Sequence, residues 1–339
     1  MASSILLQCP DCSRLINFTS DKTTITRCTA CGTVVWRQMD GSVIAKPQHT
    51  INEITEIIQP GTTGRWKEKN FIVLGRFRAW FEEFVFNYWT IQFADGEIAW
   101  LGEGYGIYSI LQPIPFPENI SSKSLHALSP SHQKELMTDK SFMLREKEQA
   151  VKWQIEGELF APKPETSFSL FDFSSGDGKH ISIFEWGQLN LFAYEVSYVP
   201  FSSLSLQQLR DYKHCQRNFR CKICSHEIVV KTYPYAQSCA CASCGTAYHM
   251  EDGSEFYKDE NMKVTHSIHL PIGGSGVIGG VSYEVIGYAR KEEQNSYHSQ
   301  WTEYTLFNPQ QGYAFLSEYE GNWIFVRENM DSPLSLIHI

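Results

Sequence analysis

Eight of the chain's ten cysteines fall into four Cys-x-x-Cys pairs, and their spacing constrains the fold more than any other feature. Cys9-Pro-Asp-Cys12 is followed, after fifteen residues, by Cys28-Thr-Ala-Cys31-Gly32. Cys221-Lys-Ile-Cys224 is followed, after sixteen, by Cys241-Ala-Ser-Cys244-Gly245. Two thiolates two residues apart can chelate one ion from a tight turn. A second such turn about 15–20 residues on completes a tetrahedral four-sulfur shell. The glycine after the last cysteine relaxes the turn. The β-prone runs between pairs, Ile16-Asn-Phe and Ile228-Val-Val-Lys-Thr-Tyr, suit the hairpins of a zinc ribbon. The spacing predicts two zinc ions per chain, one held by Cys9, Cys12, Cys28 and Cys31, the other by Cys221, Cys224, Cys241 and Cys244. Iron in the same ligand set is the alternative metal. Four protein ligands leave no open position, so both sites are expected to be structural.

Cys215 and Cys239 remain as unligated thiols. Cys239 could compete with Cys241, but only Cys241 gives the CxxCG pattern seen at Cys28 to Gly32. His214, His226 and His249 flank the second site and could substitute for a sulfur. A thioredoxin-like role needs the pair at a helix start after a strand, and these pairs sit in turn-like contexts. The N-terminus has no basic region followed by a long apolar core, so it does not read as a secretory signal. Many cysteines without such a signal point to metal chemistry in a reducing compartment, the cytoplasm. No run of about 18 apolar residues occurs, so none of these 339 residues is expected to span a bilayer as a helix.

The cysteine pattern is part of a longer repeat. Cys9 and Cys12 map to Cys221 and Cys224 at an offset of 212, and Gly61 and Gly64 map to Gly273 and Gly276. Phe71-Ile-Val-Leu-Gly75 maps to Tyr283-Glu-Val-Ile-Gly287, and Trp89-Thr90 to Trp301-Thr302, at the same offset. After three inserted residues, Leu101, Glu103, Gly106 and Tyr108 align with Leu316, Glu318, Gly321 and Trp323. The chain therefore reads as a tandem duplication of a ribbon and a following domain. Short β-branched and aromatic runs broken by glycine make that domain β-rich. The expected fold is mainly β with little helix. Two four-cysteine zinc ribbons alternate with two related small antiparallel β domains, barrel- or sandwich-like.

The boundaries are ribbon 1 over 1–48, a complete β domain over 61–200, a linker over 201–214, ribbon 2 over 215–256 and a second, truncated β domain over 265–333. Helix is expected only from Ser129-Pro130 onward and within Ser203 to Tyr212, with Gln112 to Leu128 an extended connection. The aromatic cluster Trp80, Phe81, Phe84, Phe86, Tyr88 and Trp89 reads as β-domain core in preference to a stacking platform for bases.

The second β domain resembles the bacterial domain of unknown function 4178 family. The residues carrying the likeness are Gly279-Gly-Val-Ser-Tyr283-Glu-Val-Ile-Gly287-Tyr, Trp301-Thr-Glu-Tyr304, and Phe315-Leu-Ser-Glu318 with Gly321-Asn-Trp323. Ala150 to Leu159, with Glu185 and Glu195, is similar to the family's second half in the first copy. The first copy departs where Tyr88-Trp89-Thr-Ile-Gln replaces the Trp-Thr-Glu-Tyr run. The resemblance implies a non-catalytic module often paired with zinc ribbons.

If the first unit ends near residue 200, the second is expected to end near 412. The last six residues, Leu334-Ser-Leu-Ile-His-Ile339, match a sequencing-adapter translation. Residues 334–339 are therefore expected to be a sequencing or cloning scar, with the protein, and any membrane anchor, continuing beyond them.

Three function classes compete. The preferred reading is a zinc-stabilised scaffold engaging an unidentified protein partner. Nucleic acid is the first alternative, but the formal net charge is −9. Once each zinc and its four thiolates are included, neither ribbon is positive, as phosphate neutralisation requires. An enzyme, or an accessory subunit of one, is the second. Glu103 with Glu318 and Glu156 with Glu158 are its only candidate carboxylates, and no recognised catalytic motif occurs.

Overall fold

Valine, isoleucine and aromatic side chains, alternating or in short runs, make strands of more than half of the described residues. The computed structural model describes residues 5–38, 41–46, 56–137, 140–162, 167–187, 190–233, 235–251, 254–257, 268–293 and 299–327. Among these the one α-helix is α1 (Ser122–His126). The described residues form two units: those up to 209, except 56–57, and 210–327 together with 56–57. The expected scar over 334–339 lies outside the described residues.

Unit 1 opens with the hairpin β1 (Ile5–Gln8) and β2 (Leu15–Phe18). The three-stranded sheet β3 (Ile25–Arg27), β4 (Val34–Arg37) and β5 (Val43–Lys46) follows. Next come β6 (Thr63–Trp66), β7 (Lys69–Trp80), β8 (Val85–Phe93), β9 (Ile98–Gly104) and β10 (Ile107–Ile114). After α1 come β11 (Gln133–Met137), β12 (Lys140–Gln149), β13 (Lys152–Gly157), β14 (Phe168–Ser175), β15 (His180–Trp186) and β16 (Asn190–Tyr198).

Strands β12 and β13 are two halves of one bent strand. β12 pairs with β14, the Ala150 N–H donates to Phe168 O, the Val151 N–H donates to Trp80 O, and β13 pairs with β7. The sheet thereby returns on itself in the order β7-β8-β9-β10-β16-β15-β14-β12/β13, eight antiparallel strands with the bent strand counted once. A barrel of about eight strands is just wide enough for side chains to fill. Here the filling is largely aromatic: Phe77, Tyr88, Trp100, Phe168, Phe184 and Trp186. Ile25 and Val34 of the first ribbon join this same core, and Ile25 makes a β-bridge to Leu159. On the outer face Leu125 of α1 covers Phe142, Leu144, Phe171 and Ile183.

Two local expectations fail. Helix forms over Ser122–His126, inside the stretch expected to be extended, because Ser121 and Ser124 close a capping box on each other's backbone N–H. Ser129 to His132 instead makes a turn that leads into strand β11, where Gln133, Lys134 and Glu135 pair with β12. In the second candidate helix region only single 3-10 turns form, Phe201–Leu204 and Tyr212–Cys215.

Unit 2 repeats the order. The hairpin β17 (Arg217–Arg220) and β18 (Glu227–Val230) precedes the sheet β19 (Ser238–Ala240), β20 (Ala247–Glu251) and β21 (Ser254–Tyr257). The meander β22 (Ser275–Ile278), β23 (Val281–Glu292), β24 (Gln300–Asn308), β25 (Gly312–Tyr319) and β26 (Asn322–Val326) follows. It parallels β6–β10 down to the bulge, between Val73 and Gly75 on β7 and between Val285 and Gly287 on β23. Its core is Tyr283, Val285, Tyr304, Leu306 and Ala314. Among the described residues β26 pairs with β25 alone, so this sheet is an open half-barrel.

The correspondence differs from the sequence alignment in one place. Leu306 lies opposite Val285 as Ile91 lies opposite Val73, so the offset is already 215 on β24. Tyr304-Thr305, and not Trp301-Thr302, stands where Trp89-Thr90 stands. The extra residues fall between β23 and β24: four residues separate the paired Trp80 and Val85, and seven separate Glu292 and Gln300. A connecting loop absorbs three residues, whereas an odd insertion within a strand would turn every following side chain to the other face.

Candidate metal centres

One turn, used four times, builds both cysteine clusters. The first cysteine's N–H donates to the carbonyl five residues on: Cys9 to Arg14, Cys28 to Thr33, Cys221 to His226, Cys241 to Thr246. Its carbonyl accepts from the N–H four residues on. That fourth residue is left-handed each time, with φ of 60° at Ser13, 79° at Gly32, 59° at Ser225 and 74° at Gly245. Glycine tolerates this conformation without strain, which explains its place after the second pair of each ribbon.

The turns bring the predicted sulfurs together. Within each set, Cys9, Cys12, Cys28, Cys31 and Cys221, Cys224, Cys241, Cys244, all sulfurs lie within 4.8 Å of one another. Cys9 and Cys31 are 3.6 Å apart, Cys12 and Cys28 3.7 Å, Cys221 and Cys244 3.6 Å, and Cys224 and Cys241 3.6 Å. An ion bonded tetrahedrally to sulfur at ~2.3 Å requires sulfur–sulfur edges of ~3.8 Å, whereas a disulfide requires ~2.05 Å. Each set therefore fits a single tetrahedral metal ion. Neither set includes a histidine, and Cys215 (buried) and Cys239 (half-buried) stand outside both.

Neighbouring hydrogen-bonding groups shift particular thiols. The Thr33 side chain and then its N–H hold the Cys31 thiol below its ordinary range, and Thr246 does the same for Cys244. Burial raises Cys221, but the hydroxyl of Tyr248, donating at 3.2 Å, and the turn amides outweigh it, so this thiol too is lowered. Burial pushes Cys241 up. Metal binding requires deprotonated sulfur, so a bound cation brings the reluctant thiols into line with the ready ones. The cysteine spacing did not single out Thr33, Thr246 or Tyr248. The signal for the threonines was present, because Cys-Gly-Thr occurs once in each ribbon.

The carboxylates considered for acid–base chemistry have partners in the fold. Glu103 is buried, accepts from Trp89 Nε1 at 2.7 Å and is raised by burial against the nearby Arg76 and Arg78 charges. Glu156 pairs with Arg76 at 2.7 Å, Glu158 accepts from Thr19 and Thr23, and Glu318 accepts from the Gly321 N–H at 3.0 Å.

No helix among the described residues is long and apolar enough to cross a membrane. No curated protein and no solved structure matches the chain. Residues 271–338, which include the meander of unit 2, match the family model described as Domain of unknown function (DUF4178), and the match supports that family over this stretch.

Proposed function

We propose that the protein is a non-catalytic, zinc-stabilised scaffold in the cytoplasm, built from tandem copies of one ribbon-plus-β unit, that binds a protein partner. The observation that carries this reading is the pair of four-cysteine clusters, in each of which all four sulfurs lie within 4.8 Å of one another. An ion held by four protein sulfurs has no position left for a substrate, which suits a structural role.

Zinc suits both ribbons because a closed four-sulfur shell has no catalytic position, and such small sheets need the ion's binding energy to fold. A nucleic-acid role finds less support, since the net charge is −9 and, with a zinc ion and its four thiolates counted in each, neither ribbon carries an excess of positive charge. The test is affinity capture from native extract, followed by reconstitution with the purified partner. Saturable binding of one purified protein to the metal-loaded chain is the expected result, and no saturable binding in the reconstitution would overturn the reading.

A further inference from the structure

The interior of the unit 1 barrel holds a carboxyl pair that the metal centres do not use. Phe142 and Leu144 on β12 face outward, under α1, so regular alternation would send Glu146 outward as well. A bulge between Leu144 and Glu146 shifts the register, and Glu146 comes to lie opposite Asp172. On β14, Phe168 and Leu170 belong to the barrel interior and Phe171 and Phe173 to the outer layer, which puts Asp172 on the interior side. Bulges recur where a side chain must be re-aimed. Here the bulge turns an acid into an aromatic core, beside a second acid on the neighbouring strand.

The surroundings do not neutralise the pair. Glu146 is 6% exposed, and its Oε1 has no hydrogen-bond partner. Asp172 accepts from the Ser182 hydroxyl on β15. Tyr88 of β8 lies within electrostatic reach of both carboxyls, and Glu148, two residues on along β12, adds a further negative charge to Glu146. Of the positive groups on these strands, Arg145 at the bulge bonds to Ser174 and Lys147 to the carbonyls of His126 and Leu128, while burial and then the Arg145 charge lower the pKa of His180 on β15. Two carboxylates side by side in such a place cannot both ionise cheaply.

We propose that Glu146 and Asp172 share one proton and act as a pH-sensitive clasp on the seam where β12 joins β14 and closes the barrel. With the proton in place, only one carboxyl of the pair carries a charge. When it is lost, two like charges face each other at the point where the bulge has already interrupted the ladder.

The direction of the pH dependence follows. Burial, then the Asp172 and Glu148 charges, pushes Glu146 up to about 8, and burial also raises Asp172. A carboxyl whose folded value lies above its unfolded one stabilises the fold fully below the unfolded value. That stabilisation is lost as pH rises through the folded value. The barrel should therefore weaken from about pH 5 to about pH 8 and level off above.

The experiment is thermal unfolding of the metal-loaded full chain from pH 5 to pH 9, followed by near-UV circular dichroism from the barrel aromatics. For wild type the midpoint should fall by roughly 5–10 °C over this range, a shift of the size a few such interactions produce. Glu146→Gln should flatten the profile, and Asp172→Asn should do the same if the first variant fails to fold. Carboxyl carbon NMR on wild type supplies an independent readout, with Glu146 still protonated at pH 6. Parallel profiles for wild type and variants, or a Glu146 carboxyl fully ionised at pH 6, would overturn the proposal.

Discussion

Glu158 joins the first ribbon to the barrel. Its Oε1 accepts from the Thr19 N–H and hydroxyl, both at 2.9 Å, and its Oε2 accepts from the Thr23 hydroxyl at 2.7 Å. Hydrogen bonds to a charged group contribute roughly 1.5–3 kcal/mol each, and removing the acceptor strands buried donors. Glu158→Ala should therefore destabilise unit 1 by about 2–4 kcal/mol, while Glu158→Gln, which keeps one acceptor oxygen, should lose less. Denaturant unfolding monitored by tryptophan fluorescence measures both, and equal stability of Glu158→Ala and wild type would remove the clamp. The sequence showed Glu158 only as one carboxylate near another. Its partners lie 139 and 135 residues away, a distance at which local pattern carries no information.

At the scale of elements, legibility followed the range of the interaction. The ribbon turns were readable because their hydrogen bonds span four or five residues and need only cysteine and a left-handed position. The β-rich character was equally local. The closing of the barrel was not, because it depends on one strand bending at Ala150–Val151 to serve two neighbours. The repeat's register is hidden in the sequence for a related reason: a shared Trp-Thr pair aligns at an offset of 212, whereas strand pairing sets 215 on β24. That correction makes a prediction. Removing three of the seven residues between Glu292 and Gln300 restores the loop length of the first copy, and should shift the melting temperature by no more than about 3 °C. Inserting a single residue after Tyr304 should instead unfold the meander, because Leu306 would leave the core face. Circular dichroism distinguishes the two outcomes, and a tolerated strand insertion would reject the register.

At the scale of the molecule, the two cysteine clusters make a prediction that treats the units separately. Each cluster fits one ion, so elemental analysis of purified protein should give two metal equivalents per chain. Zinc leaves the protein colourless, whereas iron bound to four thiolates would absorb visible light. Cys28→Ser removes one ligand from the first cluster and none from the second, so metal content should fall towards one equivalent. The loss should not stay within the ribbon. Ile25 and Val34, on the two strands beside Cys28, are packed into the barrel's own core, and Leu159 bonds to the backbone of Ile25. Disordering those strands exposes apolar area that the barrel otherwise buries, so unit 1 should melt at a lower temperature even though no barrel residue has changed. Cys241→Ser offers the converse. It should remove the second ion and leave the unit 1 transition where it was, because the first cluster, Ile25 and Val34 are untouched. If Cys28→Ser retained two equivalents, or if either substitution abolished both, the assignment of one ion to each four-cysteine set would fail.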